Sequence, residues 1–150
     1  MVRYPYMEWA YAYGYSKKYA SAGWASYERH FVCWAEEQGY QFDMATLHDL
    51  DADPNLLDGY ECAVFVGHDE YWSTPMRDAV DAWVEQGGRI ARFAGNFLWQ
   101  VRLENNGQRQ VCHKYFAATD DPVADSGHQA LLTGTWEVPE INRPGPGRLV

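Results

Sequence analysis

His68, Asp69 and Glu70 stand directly after an apolar run, Cys62-Ala63-Val64-Phe65-Val66, and a glycine, and Tyr71 and Trp72 follow without a gap. In extended backbone, side chains two residues apart point the same way. His68 and Glu70 would then share a side, with Asp69 turned away from them. An imidazole beside a carboxylate can bind a metal ion or work as an acid–base pair. Asp69 is free to face the N-terminus of the next helix, where negative charge is favoured. Asn96 follows a second apolar run, "RIARFAG" (Arg89–Gly95), and its amide can donate to a developing oxyanion. Tyr71 and Trp72 read as pocket wall rather than reacting groups. The plain alternative is a polar loop whose acids only cap the helix that follows, and spacing alone does not choose between the two.

These groups need elements that bring them together. "CAVFV" is apolar without alternation, the pattern of a strand buried on both faces. Thr74 can cap a helix with Pro75 at its first position. Met76, Ala79, Val80, Trp83 and Val84 then form a full helical stripe, and Gly87-Gly88 ends it. Residues 61–95 therefore predict a strand–helix–strand unit of a parallel sheet. In such a sheet ligands bind beyond the carboxyl ends of the strands, where His68, Glu70 and Asn96 fall.

Upstream, Ser26 reads as an N-cap for a helix carrying Tyr27, Phe31, Trp34 and Ala35, closed by Gly39. Tyr40, Phe42 and Met44 alternate as in a half-exposed strand. Residues 48–60 form a polar loop with a short helical turn near Pro54–Leu57. The first 25 residues are rich in tyrosine and alanine; Trp9, Tyr11 and Tyr13 alternate as a strand would, or belong to an irregular aromatic arm. Downstream, two strands flank Asn106-Gly107, a hairpin signal, and a turn-rich, proline-rich tail follows. The fold class is thus α/β: an open, mostly parallel sheet with flanking helices, plus a C-terminal hairpin and irregular tail. Residues 1–25 form an aromatic N-terminal segment and residues 26–150 the α/β domain.

The 150 residues suffice for one domain with one core. Net charge is −9 with no Lys/Arg-rich run, which argues against a nucleic-acid partner. No apolar stretch reaches the ~20 residues that cross a bilayer, and no signal peptide is evident. Cys33, Cys62 and Cys112 match no metal or redox spacing and read as buried thiols in a reducing compartment, so the expected location is cytoplasmic. His48 with Asp49 and Asp51 reads as solvated loop before metal site. His30 reads as a surface or groove residue, His113 and His128 as isolated, and Asp120-Asp121 as a turn. No Gly-x-Ser-x-Gly elbow and no phosphate-binding glycine loop are present.

Several pieces in order carry a family resemblance: "YERHFVCWAEEQGY", "LHDLDADPNLLDGY", "GHDEYWS…MRDAV", "GGRIARFAGN…WQVRLE", "VCHKY…DP" and "LTGTWEVPEINRP". Together they span roughly Tyr27 to Pro144. The chain resembles the large (β) subunit of N,N-dimethylformamidase and its homologues. The resemblance implies a glutamine-amidotransferase-like or flavodoxin-like sheet domain. It also implies a mononuclear iron(III) site that hydrolyses a small amide, with iron held by two tyrosinates and one glutamate. Glu70 matches that glutamate, and His68 and Asn96 match residues lining the same pocket. For the tyrosines, Tyr6, Tyr11, Tyr13, Tyr15 and Tyr19 are candidates, of which Tyr13 and Tyr19 are taken as ligands. The resemblance implies a domain incomplete at both ends relative to the family, and the aromatic segment departs from the family's pattern.

The expected function is hydrolysis of a small amide at an iron site, with a partner subunit or a second copy as a candidate companion. The alternative is a non-catalytic binding or subunit-interaction module of the same fold with the metal site lost. A third reading is a hydrolase that uses His68 and Glu70 without metal.

Overall fold

The computed structural model describes residues 12–14, 23–95 and 97–145. A π turn, Trp24–Glu28, runs straight into helix α1, Arg29–Glu37. Helical backbone thus begins before Ser26, which lies inside the helical segment instead of capping it. The strand expected at Tyr40–Met44 does not form. Residues 40–46 are irregular, and Tyr40, Phe42 and Met44 are exposed. Alternation creates a strand only where a neighbour completes the backbone hydrogen bonds, and none of the described strands lies alongside.

The next helix comes earlier than the polar loop suggests. Helix α2 is Leu47–Ala52, and turns rather than a helix occupy residues 54–59. Thr46 sets its start. The Thr46 hydroxyl accepts from the Asp49 N–H at 3.2 Å, and the Asp49 carboxylate accepts from the Thr46 N–H at 2.7 Å. Two donors that the first turn would leave unpaired are satisfied at once.

Residues 61–95 form the expected strand–helix–strand unit. Strand β1, Cys62–His68, leads through a short strand β2, Tyr71–Ser73, into helix α3, Thr74–Glu85, and then strand β3, Arg89–Gly95. β1 and β3 pair in parallel, from Cys62 opposite Arg89 to His68 opposite Gly95. Ser73, one residue before Thr74, is the cap: its hydroxyl accepts from the Met76 N–H at 3.2 Å and donates to the Asp51 carboxylate of α2. Pro75 follows in the first turn, where its missing N–H costs nothing.

The sheet is split. β1 and β3 form a two-stranded sheet. β2 belongs to a second, three-stranded sheet, where it pairs in parallel with β4, Trp99–Glu104. β4 pairs antiparallel with β5, Arg109–Val111. Asn105, Asn106 and Gly107 take positive φ of 52°, 54° and 79° in the connecting turn, which suits Asn and Gly. The α/β class with open sheets holds, but as two small sheets in place of one. β1 is also less covered than its unbroken apolar run implies: Val64 on it, and Phe93 on β3, are exposed. Cys33 and Cys62 are likewise exposed free thiols, against the expectation of burial.

The core gathers on the inner face of α3. Met76, Ala79, Val80 and Trp83 are buried, each large side chain contributing about 1.5–3 kcal/mol by leaving water. Rings extend this core sideways. Phe65 meets Trp72 at 5.0 Å, Trp72 meets Phe97 edge-on at 4.8 Å, and Phe97 stacks on Trp136 at 5.7 Å. The tail is not peripheral: Leu132, Trp136 and Ile141 join the same cluster. Among the described residues no helix is long and apolar enough to cross a membrane.

Candidate active site

Between the two sheets the chain has only Asp69 and Glu70. The Glu70 carbonyl accepts from the N–H groups of Leu98, at 3.3 Å, and Trp99, at 3.0 Å. This ties the bridge to the start of β4. The carboxyl end of β1 and the amino ends of β2 and β4 thereby meet at one place.

His68 Nε2 lies 2.9 Å from Glu70 Oε2, so the two side chains do share a side. The Trp99 indole N–H donates to the other oxygen, Oε1, also at 2.9 Å. The Glu70 side chain is 15% exposed and that of His68 49%, so the carboxylate is recessed and the imidazole faces outward. Beside them Lys114 Nζ donates to the Tyr71 hydroxyl at 2.6 Å. The ammonium also sits over the rings of Tyr71 and Trp99, at 4.9 and 5.6 Å. Tyr115 closes the outer side with its ring edge-on to Trp99 at 4.7 Å.

This environment keeps Glu70 ionised. Partial burial pushes its carboxyl up. The hydrogen bonds from His68, Trp99 and Tyr71, with the positive charge of Lys114, outweigh burial and hold it below its usual range. Lys114 responds in the opposite sense: its bond to Tyr71, then the nearby Glu70, raise it above an ordinary lysine. Burial raises the Cys112 thiol, so it is a weak nucleophile.

Asp69 turns away from this pair, but not toward the start of α3. It is 5% exposed, and its Oδ1 accepts from Arg92 Nη2 of β3 at 2.8 Å. A cross-strand guanidinium offers a full charge, more than the partial charge of a helix end. Tyr71 is half-buried beside Lys114. Trp72 is buried, and its indole N–H donates to the Asp69 carbonyl at 2.7 Å. Asn96 and Tyr19 lie outside the described residues, as do Tyr6, Tyr11 and Tyr15; Gly95, just before Asn96, pairs opposite His68. Tyr13 sits in a turn and is 69% exposed.

Trp99 and Lys114 were not singled out by their residue types. Trp99 reads in sequence as one more core aromatic, and its indole N–H toward Glu70 depends on the β2–β4 register. Lys114 has positive φ, 56°, and no local sequence signal marks a lysine for that backbone.

An ionised, recessed carboxylate is the hard oxygen donor that a highly charged cation takes. Glu70 fits as one ligand by its chemistry, with Oε2 beside His68 Nε2 and Oε1 bonded by the Trp99 indole N–H. Among the described residues no group of three or more His, Cys, Asp or Glu side chains is placed to hold a metal ion.

A family model described as N,N-dimethylformamidase beta subunit-like, C-terminal, matches residues 2–149. The chain belongs to this family. An N,N-dimethylformamidase beta subunit of Alcaligenes sp is 32% identical over 73 residues, which is 48% of this chain and 10% of that protein. The N,N-dimethylformamidase beta subunit of Paracoccus aminophilus is 30% identical over 73 residues, with the same coverage. The matched stretch thus spans about a tenth of these curated relatives.

Proposed function

We propose that this chain carries part of an amide-hydrolysing site centred on His68 and Glu70, acting on a small amide of the N,N-dimethylformamide type. One observation carries the reading: the 2.9 Å pairing of His68 with a recessed Glu70 carboxylate at the end of β1. Glu70 would hold iron(III), with Tyr13 and Tyr19 of the N-terminal segment as its proposed partners. Bound there, the ion supplies Lewis acidity toward the amide carbonyl. Trp99, Tyr71 and Lys114 keep Glu70 anionic and fixed in direction. Asn96 is the proposed donor to the oxyanion. Water would add to the carbonyl carbon and lose a proton to His68 Nε2, which would pass that proton to the nitrogen as the C–N bond breaks, so that the amine leaves neutral and the acid keeps the water's oxygen. The β1–α3–β3 unit, with its polar groups at the carboxyl ends of parallel strands, supports a glutamine-amidotransferase-like arrangement. Exposed free thiols suit a reducing, cytoplasmic setting.

Metal content and turnover test this together. Iron-supplemented protein should bind iron and show a tyrosinate-to-iron absorption band. Glu70→Gln should lose the metal. His68→Asn should keep it while turnover falls by about 10²–10⁴-fold, the usual contribution of a positioned proton donor. Less than about a tenth of an equivalent of iron in the supplemented protein would sink the iron site. Activity that survives iron removal but not Glu70→Gln would assign the chemistry to the two side chains alone.

A second reading, an interaction module for a partner subunit or a second copy, draws on a different surface. Phe93, Phe31, Trp34 and Tyr40 form a run of neighbouring rings spaced 5.6, 5.6 and 5.9 Å apart. Phe93, Trp34 and Tyr40 are exposed.

A further inference from the structure

Every residue from 40 to 46 is exposed, and the backbone there makes no helix, turn or bend. Across residues 41–45 no backbone N–H or carbonyl has a hydrogen-bond partner among the described residues. The segment is nevertheless held in place. The Tyr40 N–H donates to the Ala35 carbonyl at 3.0 Å, and the Tyr60 hydroxyl donates to Asp43 Oδ2 at 2.6 Å. Thr46 is fixed by its reciprocal bonds with Asp49. Pinned at both ends and near the middle, the run has little freedom left to lose when a partner arrives, which favours association.

Unpaired backbone beside alternating apolar side chains is a template for an added strand. Side chains two apart share a side in extended backbone. Tyr40, Phe42 and Met44, all exposed, then make one face, with Gln41 and Asp43 on the other. Within a single chain this pattern has no neighbour to pair with.

The run is its own complement. Laid antiparallel on a copy of itself about Phe42, Tyr40 meets Met44, Gln41 meets Asp43, and Phe42 meets Phe42. A thioether against a ring, an amide N–H to a carboxylate and a ring against a ring are all favourable cross-strand pairs. Tyr60 occupies only Oδ2 of Asp43, which leaves Oδ1 for the Gln41 amide. Moving the centre to residue 43 would set Asp43 against Asp43, a repulsive pair. A two-fold dimer needs just such a self-complementary patch. Trp34, exposed and 5.9 Å from Tyr40 between ring centroids, extends the apolar contact beyond the strand.

We propose that residues 40–44 pair antiparallel with the same residues of a second copy of this chain, centred on Phe42. The pairing does not involve Glu70 and is independent of amide hydrolysis there; its readouts are mass, exchange and cross-linking, never turnover.

Sedimentation velocity of the full chain should show mass doubling as concentration rises, and amide hydrogen exchange at residues 41–45 should slow in step. Phe42→Asp sets two like charges on the axis and removes the central rings. It should weaken the dimer by at least about tenfold with an unchanged circular dichroism spectrum, since the side chain is exposed. Register is read by cysteine cross-linking with the exposed Cys33 and Cys62 changed to serine. Phe42→Cys should cross-link to itself, whereas Gln41→Cys and Asp43→Cys should cross-link efficiently only when the two variants are mixed. A wild type that stays a single chain overturns the proposal, whether its partner is another protein or a strand of its own chain. So does a dimer that Phe42→Asp leaves intact, or mixed cross-linking no better than that of either variant alone.

Discussion

Glu70 and Asp121 are both carboxylates held below their usual range, by different means and to different ends. Glu70 is recessed but reachable, with donors from three side chains. The Asp121 side chain is fully covered. It receives the Arg102 guanidinium at 2.7 Å, the Thr133 hydroxyl at 2.8 Å and the Thr133 N–H at 2.9 Å. Burial alone would raise it, and these donors override that strongly in the downward direction. A carboxyl depressed in the folded state stabilises the fold above its unfolded value, about 3.9. That contribution is lost as pH falls through the folded value. Asp121→Asn should therefore cost about 3 kcal/mol at neutral pH, since Arg102 loses its partner. It should also flatten the decline of the urea midpoint below about pH 4. An unchanged midpoint at neutral pH would show that the network is dispensable. In the sequence Asp121 was only a turn residue before Pro122. Its partners lie 19 and 12 residues away in the chain, and no local pattern announces them. His68 and Glu70 were legible because a two-residue spacing acts within one strand end. Asp69 was legible in direction but not in partner, since Arg92 comes from β3.

The elements that could be read were those whose pattern is complete within one segment. Helix α3 carries its own stripe, its proline and its glycine stop, and it forms as expected. The hairpin carries its own turn residues. Tyr40–Met44 carries alternation but no strand partner, so the pattern led nowhere. The missed start of α2 was present as Thr46 and Asp49, three apart. Between α1 and β1 the decisive residue is Gly67. It has φ +87°, and a side-chain carbon there would lie 2.8 Å from Tyr27 Cβ and 3.0 Å from a Glu28 oxygen. The π turn thus packs against the backbone just before His68, in a space that only glycine leaves. Gly67→Ala should cost at least about 1–3 kcal/mol from strained backbone alone, with further loss from the contact. Differential scanning calorimetry would show a lowered Tm, and an unshifted Tm would mean that the π turn packs elsewhere.

At the scale of the molecule, the protein is asymmetric in how well it is covered. The α3 side holds the core and the tail wraps it, whereas the far side of the β1–β3 sheet presents Phe93, Trp34 and Tyr40 toward solvent, with Phe31 half-buried among them. Contiguous apolar patches of this kind mark contact surfaces. If this surface seats a partner subunit or a second copy, Trp34→Lys with Phe93→Lys should shift sedimentation toward the single chain and leave the circular dichroism spectrum intact. A wild-type chain that already sediments as a single species across concentration would remove self-association from consideration. None of this was visible in composition, since aromatic content counts rings without saying which are covered. The split of the sheet was equally hidden, because it depends on where β2 leaves β1 and joins β4.

The link between the sheets has a parity. Three successive side chains alternate between two compartments: imidazole and carboxylate to the front, Asp69 to the back. Removing or adding one residue here would leave both sheets able to form, yet send the carboxylates to the wrong rooms. The number of residues between β1 and β2 therefore matters as much as their identities.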